Sequence, residues 1–450
     1  NLVPFHGGVT IEEFFATWAG DYARLERAHN YIQWLFPSPE ASMFNQHAQP
    51  LLEDFSESAA LVGLCDHNGM RLEAANQMLG TDLPGFTDFG EALTALDPDA
   101  VIVCTQDQTH AEFIVAALEA GKRVYCEKPL CTTAAQCRQI VSAAGRSPGE
   151  VYVTHNLRYG PIAQKLKELV DSGRIGRPLS IEFNEFLDRS HGADFFRRWH
   201  RRKESSGGLL IHKASHHFDT LNWLVGSRPE VVSATGELLF YGHNGEVRGE
   251  RCLDCDLAAD CDFHVDLGAD ERASALYLKT EAGDGYQRDG CVFDPGIDIE
   301  DQASVSYSYE NGVRVNYTLL AYASYQSMAL VLEGTEGRLE FRSVVDTSFA
   351  IGNRSVPGMD EMVGDSLCYY HPREGREVLE VPHQEGSHGG GDQLLRADLF
   401  ARPWEAGAND RMATLDDAVQ AVLIGAAANA SIAEDGARVR VQDLLEQRDE

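Results

Sequence analysis

The chain has 450 residues, and 38 Lys and Arg against 70 Asp and Glu give it a formal net charge of −32. At roughly 150 residues per domain, this length implies two or three domains with large buried cores. A hydrophobic content of 43% with 24% charged residues argues against wholesale disorder, and so acidic a surface repels phosphate backbones and anionic lipid, so neither nucleic acid nor membrane is an expected partner.

No run reaches the roughly 18 apolar residues of a membrane span. The nearest, Ala418 to Ala433, is broken by Gln420 and Asn429 and reads as a packed soluble helix. No basic stretch followed by an apolar core opens the sequence, and the ten cysteines are too sparse for a disulfide scaffold, so a cytoplasmic protein is expected.

Residues 1–48 read as a helical, aromatic-rich segment. Thr10-Ile11-Glu12-Glu13 has the form of a capping box, and Tyr31, Trp34, Leu35 and Phe36 run into a stop at Pro37-Ser38-Pro39. From about residue 60 the pattern alternates: a short apolar run at Ala60–Cys65, a helix through Met70–Leu79, a buried strand at Ala100–Cys104, a helix over Ala111–Ala120 and a strand at Arg123–Cys126. Strands separated by helices of 10–15 residues imply right-handed βαβ units and a parallel sheet over about 49–150. Beyond it, over 151–450, segments such as Ser180–Glu185, Ser304–Tyr309, Val313–Leu319 and Ala329–Glu333 alternate in the manner of half-exposed strands in an open, mainly antiparallel sheet.

Several local sequences in order carry a family resemblance. Asp99 to Thr105, His110, Ala117-Leu118-Glu119-Ala120-Gly121-Lys122 and Cys126-Glu127-Lys128-Pro129-Leu130 resemble the Gfo/Idh/MocA oxidoreductases. So do Gly207-Gly208 leading to His216 and Asp219, then Gly334-Thr335-Glu336-Gly337, and His388-Gly389-Gly390-Gly391-Asp392. The resemblance covers about residues 50–450. It implies a Rossmann-like α/β domain that binds a nicotinamide cofactor, an α+β domain that shapes a site for a sugar-like small molecule, and a homo-oligomer.

The residue types fit that chemistry. Oxidising a secondary alcohol needs a base for the hydroxyl proton while hydride leaves for the nicotinamide. Lys128 follows a strand end, where α/β sheets place ligands, and its ammonium can stabilise developing alkoxide. By resemblance it is the lysine of the family's Glu-Lys-Pro motif, and His216 stands where the family carries its catalytic histidine. The family often has Asp four residues before that histidine; His212 stands there instead, next to Lys213, and reads as a substrate-contacting partner rather than half of a metal pair. Asp66, ending the Val62–Asp66 run, is placed to accept from an adenine ribose and to disfavour a 2′-phosphate, so NAD is expected over NADP. Thr105, His110 and Glu127 complete the expected cofactor crevice. Asn156, Arg158 and Tyr159, with Arg198, Trp199 and Lys213, form the expected substrate set; Arg197 and His200 belong to the same cationic, aromatic cluster.

A dinucleotide-binding unit should open with a strand, a Gly-x-Gly-x-x-Gly turn and a helix. Before position 50 there are only Gly7-Gly8 and Gly20, and none follows an apolar strand. The first βα unit therefore reads as missing or replaced by helices, and weakened NAD binding is expected. In its place, Asp21-Tyr22, Leu25-Glu26 and His29-Asn30-Tyr31-Ile32-Gln33-Trp34-Leu35-Phe36-Pro37 resemble the conserved N-terminal region of opioid growth factor receptor proteins. That family implies a helical module without known active-site chemistry.

Cys252, Cys255, Cys261 and Cys291, with His264 nearby, have spacings compatible with a structural zinc that would staple an insertion near 250–295; reduced thiols or disulfides are the alternative. The expected activity is NAD-dependent oxidation of a sugar, inositol or derivative. NAD-dependent glycoside hydrolysis and a non-enzymatic scaffold built on the N-terminal module are the alternatives.

Overall fold

In the computed structural model, residues 30–34, 47–245, 249–345, 362–381, 390–401 and 411–446 are described. The expected capping box at Thr10 and the His388-Gly389 pair lie outside them.

The first sheet contains β1 (Asn30–Trp34), β2 (Ala60–Cys65), β3 (Gly85–Phe86), β4 (Ala100–Val103), β5 (Arg123–Cys126) and β6 (Val151–Val153). The second is built from β7 (Pro178–Asp188), β8 (Pro229–Glu237), β9 (Gln302–Tyr309), β10 (Arg314–Ala323), β11 (Gln326–Gly334), β12 (Arg338–Val345), β13 (Gly364–His371) and β14 (Gly375–Leu379). The short β15 (Ala413–Thr414) joins the first sheet and β16 (Val439–Arg440) the second.

The first sheet runs in the order β15-β6-β5-β4-β1-β2-β3, parallel except at β15. Its core order 3-2-1-4-5-6 is that of the doubly wound dinucleotide-binding fold, whose strand direction of travel reverses between β1 and β4 and opens a crevice at their carboxyl ends. Residues 30–34 correct the helical reading of this stretch. They form the central strand, Ile32 pairing with Gly63 on one side and Val101 on the other. Tyr31, Ile32 and Trp34 are aromatic or β-branched, types that suit a pleated strand, and between two waiting parallel strands that preference prevails over helical periodicity.

Turn chemistry sets the edges of the crevice. Asn68, rather than Asp66, caps the Gly69–Leu79 helix, its side chain accepting from the amides of Met70 and Arg71. Across the second sheet β7 and β10 run parallel and the other neighbours antiparallel. Ile181, Phe183, Val315, Tyr317, Val305, Tyr307, Leu330 and Leu332 are buried on one face, and Glu182, Asn316, Ser304 and Ser306 alternate with them on the open face. The Leu415–Ala433 helix, started by a reciprocal capping box of Thr414 and Asp417, covers the buried side. Among the described residues no helix is long and apolar enough to cross a membrane.

A proline at the centre of a central strand deletes a ladder amide and costs about 3 kcal/mol or more. Ile32→Pro is therefore expected to lower stability to denaturant by at least about that amount; an unchanged unfolding midpoint would remove β1 from the sheet.

Candidate active site

Three chain segments meet at the carboxyl edge of the first sheet. After β4 the chain enters a single 3₁₀ turn, Asp107–Thr109, in which Asp107 is buried. After β5 come Glu127 and Lys128, the latter followed by a cis Lys128–Pro129 peptide. From the second half of the chain comes the short helix Leu209–His212. Gly207 and Gly208 precede it with φ of +69° and +77°, a left-handed pair that side chains resist, and a Cβ on Gly207 would lie 2.8 Å from the Ile211 side chain. The glycine pair lets the helix start hard against the first domain and brings His212 to Lys128.

The contacts there are specific. Lys128 Nζ lies 3.5 Å from His212 Nε2 and donates to the His212 carbonyl at 3.3 Å. His212 Nδ1 stands 2.6 Å from Asp107 Oδ2. The imidazole of His212 is walled by Trp199, Phe195 and His200, the last with its ring centroid 4.1 Å away. His200 is fully buried, stacked on Trp199 at 3.8 Å. In the first turn of the Ser215–Val225 helix, His216 packs edge-on against His155 at 5.8 Å, and its Nδ1 is buried without a partner. Burial, then the charges of Lys128, His155, Lys213 and His217, hold the His216 imidazole well below its usual range, so it is neutral at pH 7. Lys213 faces Glu185 at 3.4 Å.

Lys128, His212, His216, Lys213 and Trp199 thus gather around one site, whereas other expected site residues are spent on the interior. Arg158 is 2% exposed and makes a bidentate pair with Asp219, at 2.6 and 2.7 Å, backed by Asp417 at 3.3 Å. Asn156 donates to Asp392 at 2.9 Å, and Tyr159 is packed into the core with Leu395 and Phe400. Arg198 is buried and donates to the Asp194 carbonyl. These four brace the substrate side from within. His110 is likewise buried, its ring nitrogens 2.8 Å from the Pro129 carbonyl and 3.0 Å from that of Thr105, where it ties the two sheet-edge loops together. Thr105 bonds Thr109 at 2.7 Å. The Glu127 carboxylate is held by His47 at 2.9 Å; burial raises its pKa, but His47, Thr154 and Lys128 together outweigh that and the group stays below its ordinary range.

Asp66 lies at the end of β2, fully buried. Its Oδ1 accepts from the Asn68 amide at 2.8 Å and from Arg71 at 3.0 Å, while Oδ2 has no partner. Burial pushes the carboxyl up to about 7, more than the Arg71 guanidinium pulls it down. An orphaned buried acceptor at this sheet edge fits a ribose hydroxyl, so the adenosine end of NAD matches the residues present. The stretch after β1 lies outside the described residues. Its sequence, Leu35-Phe36-Pro37-Ser38-Pro39-Glu40, has no glycine, and its two prolines lack amide donors.

The cysteine insertion behaves differently from its spacing. Cys252, Cys255, Cys261, Cys291 and His264 do line one cavity of about 30 Å³, but Leu257, Phe263 and Phe293 share its wall. Among the described residues no group of three or more His, Cys, Asp or Glu side chains is arranged to hold a metal ion, and all four thiols are free. The expected zinc site is therefore corrected: the described Cys and His side chains are not arranged as a ligand set. What fastens the insertion is Arg251, paired with Glu281 at 2.5 Å and Asp289 at 2.6 Å. Leu267, Leu276 and Tyr277 pack on Ala74 and Met78, and Arg71 reaches the Leu276 carbonyl and Asp284. The insertion therefore closes over the side of the crevice where Asp66 stands.

Residues 41–155 match the NAD-binding Rossmann fold of the Gfo/Idh/MocA oxidoreductase family, and residues 167–441 match its C-terminal α/β domain. The chain belongs to that family. It is accordingly an oxidoreductase of an NAD(P)-dependent class. Residues 2–62 match the opioid growth factor receptor conserved region. The chain is 33% identical over 413 residues to the putative oxidoreductase YteT of Bacillus subtilis, covering 87% of this chain and 94% of that one. It is 28% identical over 183 residues to the myo-inositol 2-dehydrogenase of Thermotoga maritima, covering 41% of this chain and 52% of that enzyme. In fold it is similar to a levoglucosan dehydrogenase solved with NADH and L-sorbose, with a TM-score of 0.64, 19% identity and coverage of 92% and 98%.

Removing one partner of a buried ion pair costs about 3–5 kcal/mol. Arg158→Ala is expected to lose that much stability in urea while the folded fraction keeps its substrate KM; a raised KM at unchanged stability would return Arg158 to the substrate.

Proposed function

We propose that the chain oxidises a secondary hydroxyl of a sugar, inositol or related polyol with NAD. The observation that carries this reading is the convergence of the Lys128 ammonium with His212 and the neutral imidazole of His216 at the carboxyl edge of the first sheet. NAD, when bound, supplies the hydride acceptor. Asp66 would hold the adenosine ribose through its unpartnered Oδ2, and its ionised form, part of the population near pH 7, would repel a 2′-phosphate. Lys128 would hydrogen-bond the reacting oxygen and stabilise alkoxide charge as it develops. His216 would take or return the hydroxyl proton, a role that needs the neutral ring its surroundings enforce. Trp199 and Lys213 would border the sugar.

The inositol and levoglucosan dehydrogenases among the similar proteins support the substrate class. The open face of the nine-stranded sheet supports association with a second copy, and ten free thiols support a reducing, cytoplasmic setting. A boundary near residue 150 between a cofactor domain and a substrate domain follows the change from the parallel to the mixed sheet, while β1 draws residues 30–34 of the N-terminal segment into the cofactor domain.

NADH formation with myo-inositol and a panel of aldoses tests the reaction. Lys128→Met is expected to lower kcat by about 10²–10⁴-fold with the cofactor still bound. Because the His216 pKa is lowered, its neutral form persists as pH falls, and kcat/KM is expected to hold through the ordinary imidazole range and to decline only below it. Wild-type turnover in Lys128→Met would exclude the assignment.

A further inference from the structure

Asp107 was not singled out by any motif, yet it makes the shortest polar contact of the site. Its Oδ2 is 2.6 Å from His212 Nδ1, and the same ring presents Nε2 to Lys128 Nζ at 3.5 Å. Asp107 and His212 are 2% and 5% exposed. Both nitrogens of His212 are thus committed, one to each neighbour, and Trp199, Phe195 and His200 leave the ring no other orientation.

We propose that Asp107 is a positioning residue for the hydride-transfer reaction, acting through His212. Its carboxylate accepts from Nδ1–H and fixes the tautomer in which Nε2 is the acceptor facing Lys128. The inference rests on the reaction proposed above. A carboxylate–imidazole–ammonium chain holds the Lys128 ammonium in place for the reacting oxygen. As the alcohol carbon loses its hydrogen with the bonding pair to NAD⁺, the hydroxyl proton passes to His216, and Lys128 keeps its own protons and donates one hydrogen bond to the oxygen. The products are ketone, NADH and the His216 imidazolium, so charge and protons balance. Reduction runs the same path backwards.

Burial, then Lys128, His200, Arg198 and Lys213, hold the His212 imidazole well below its ordinary range, so the ring stays neutral and carries a single proton. Burial also pushes the Asp107 carboxyl well above its ordinary range and Glu127 adds to that, while Lys128 favours the ionised form. Asp107 is the group in contact with Nδ1 that keeps the ring proton there and leaves Nε2 to accept from Lys128.

The test pairs kinetics with a spectrum. In wild-type protein labelled with ¹⁵N-histidine and assigned by loss of the signal in His212→Gln, the His212 resonances are expected to show the proton on Nδ1. Asp107→Asn keeps the shape but removes the charge. It is expected to lower kcat at least tenfold, to leave the polyol KM within threefold and NADH affinity unchanged, and to displace the acid limb of the pH profile. A proton on Nε2 in the wild type, or wild-type kcat and pH profile in Asp107→Asn, overturns the proposal. The wild-type spectrum decides even if the variant does not fold. A wild type that oxidises no polyol counts against the reaction above, while the spectrum still decides the contact.

Discussion

The contact of Lys128 with His212, itself held by Asp107, joins parts of the chain that are 84 and 105 residues apart. Lys128 and Asp107 belong to loops of the parallel sheet, His212 to a helix over the second sheet. An ammonium and a carboxylate at this edge are costly to bury alone, and each is tolerated because an imidazole lies between them. The same requirement fixes how the two halves meet. The glycine pair at 207–208, the His110 brace between the loops after β4 and β5, and the Arg158–Asp219 pair beneath the Ser215–Val225 helix all keep that meeting in register.

The second constraint is the place of β1. Set between β2 and β4, it puts the reversal of strand order, and hence the crevice, directly beside Asp107 and Asp66. A glycine turn normally follows such a strand and offers backbone amides to a pyrophosphate. Here prolines occupy that stretch. Cofactor affinity must come from elsewhere, and the structure offers two sources: the unpartnered oxygen of Asp66, and the insertion that closes over that side through Arg71 and Asp284.

Much of this was legible from the sequence because the relevant signals are local. Strand-helix alternation identified β2, β4 and β5 and the parallel sheet, and alternation of buried and exposed residues identified the second. Lys128, His212 and His216 sit in short motifs whose chemistry is readable from residue type. Asp107 was invisible because its meaning lies in a partner 105 residues away. Arg158 was misleading for the opposite reason: a cation beside a strand end suggests a ligand, but its partner, Asp219, comes from a distant helix. β1 was hidden because aromatic residues at positions 31 and 34 fit a helix face as well as a strand, and neighbouring strands decide between them. The cysteine spacing reported proximity correctly, since four thiols share one cavity, but among the described residues they are not arranged as a metal's ligands.

Everything above depends on the crevice beside β1 binding a nicotinamide dinucleotide without a glycine turn. Titration of the purified chain with NADH, followed by its fluorescence, tests it most directly. Saturable binding is expected with a Kd between about 10 μM and 1 mM, weakened about tenfold or more in Asp66→Ala by loss of the ribose acceptor. No saturable binding up to about 1 mM, or equal affinity in Asp66→Ala, would contradict it.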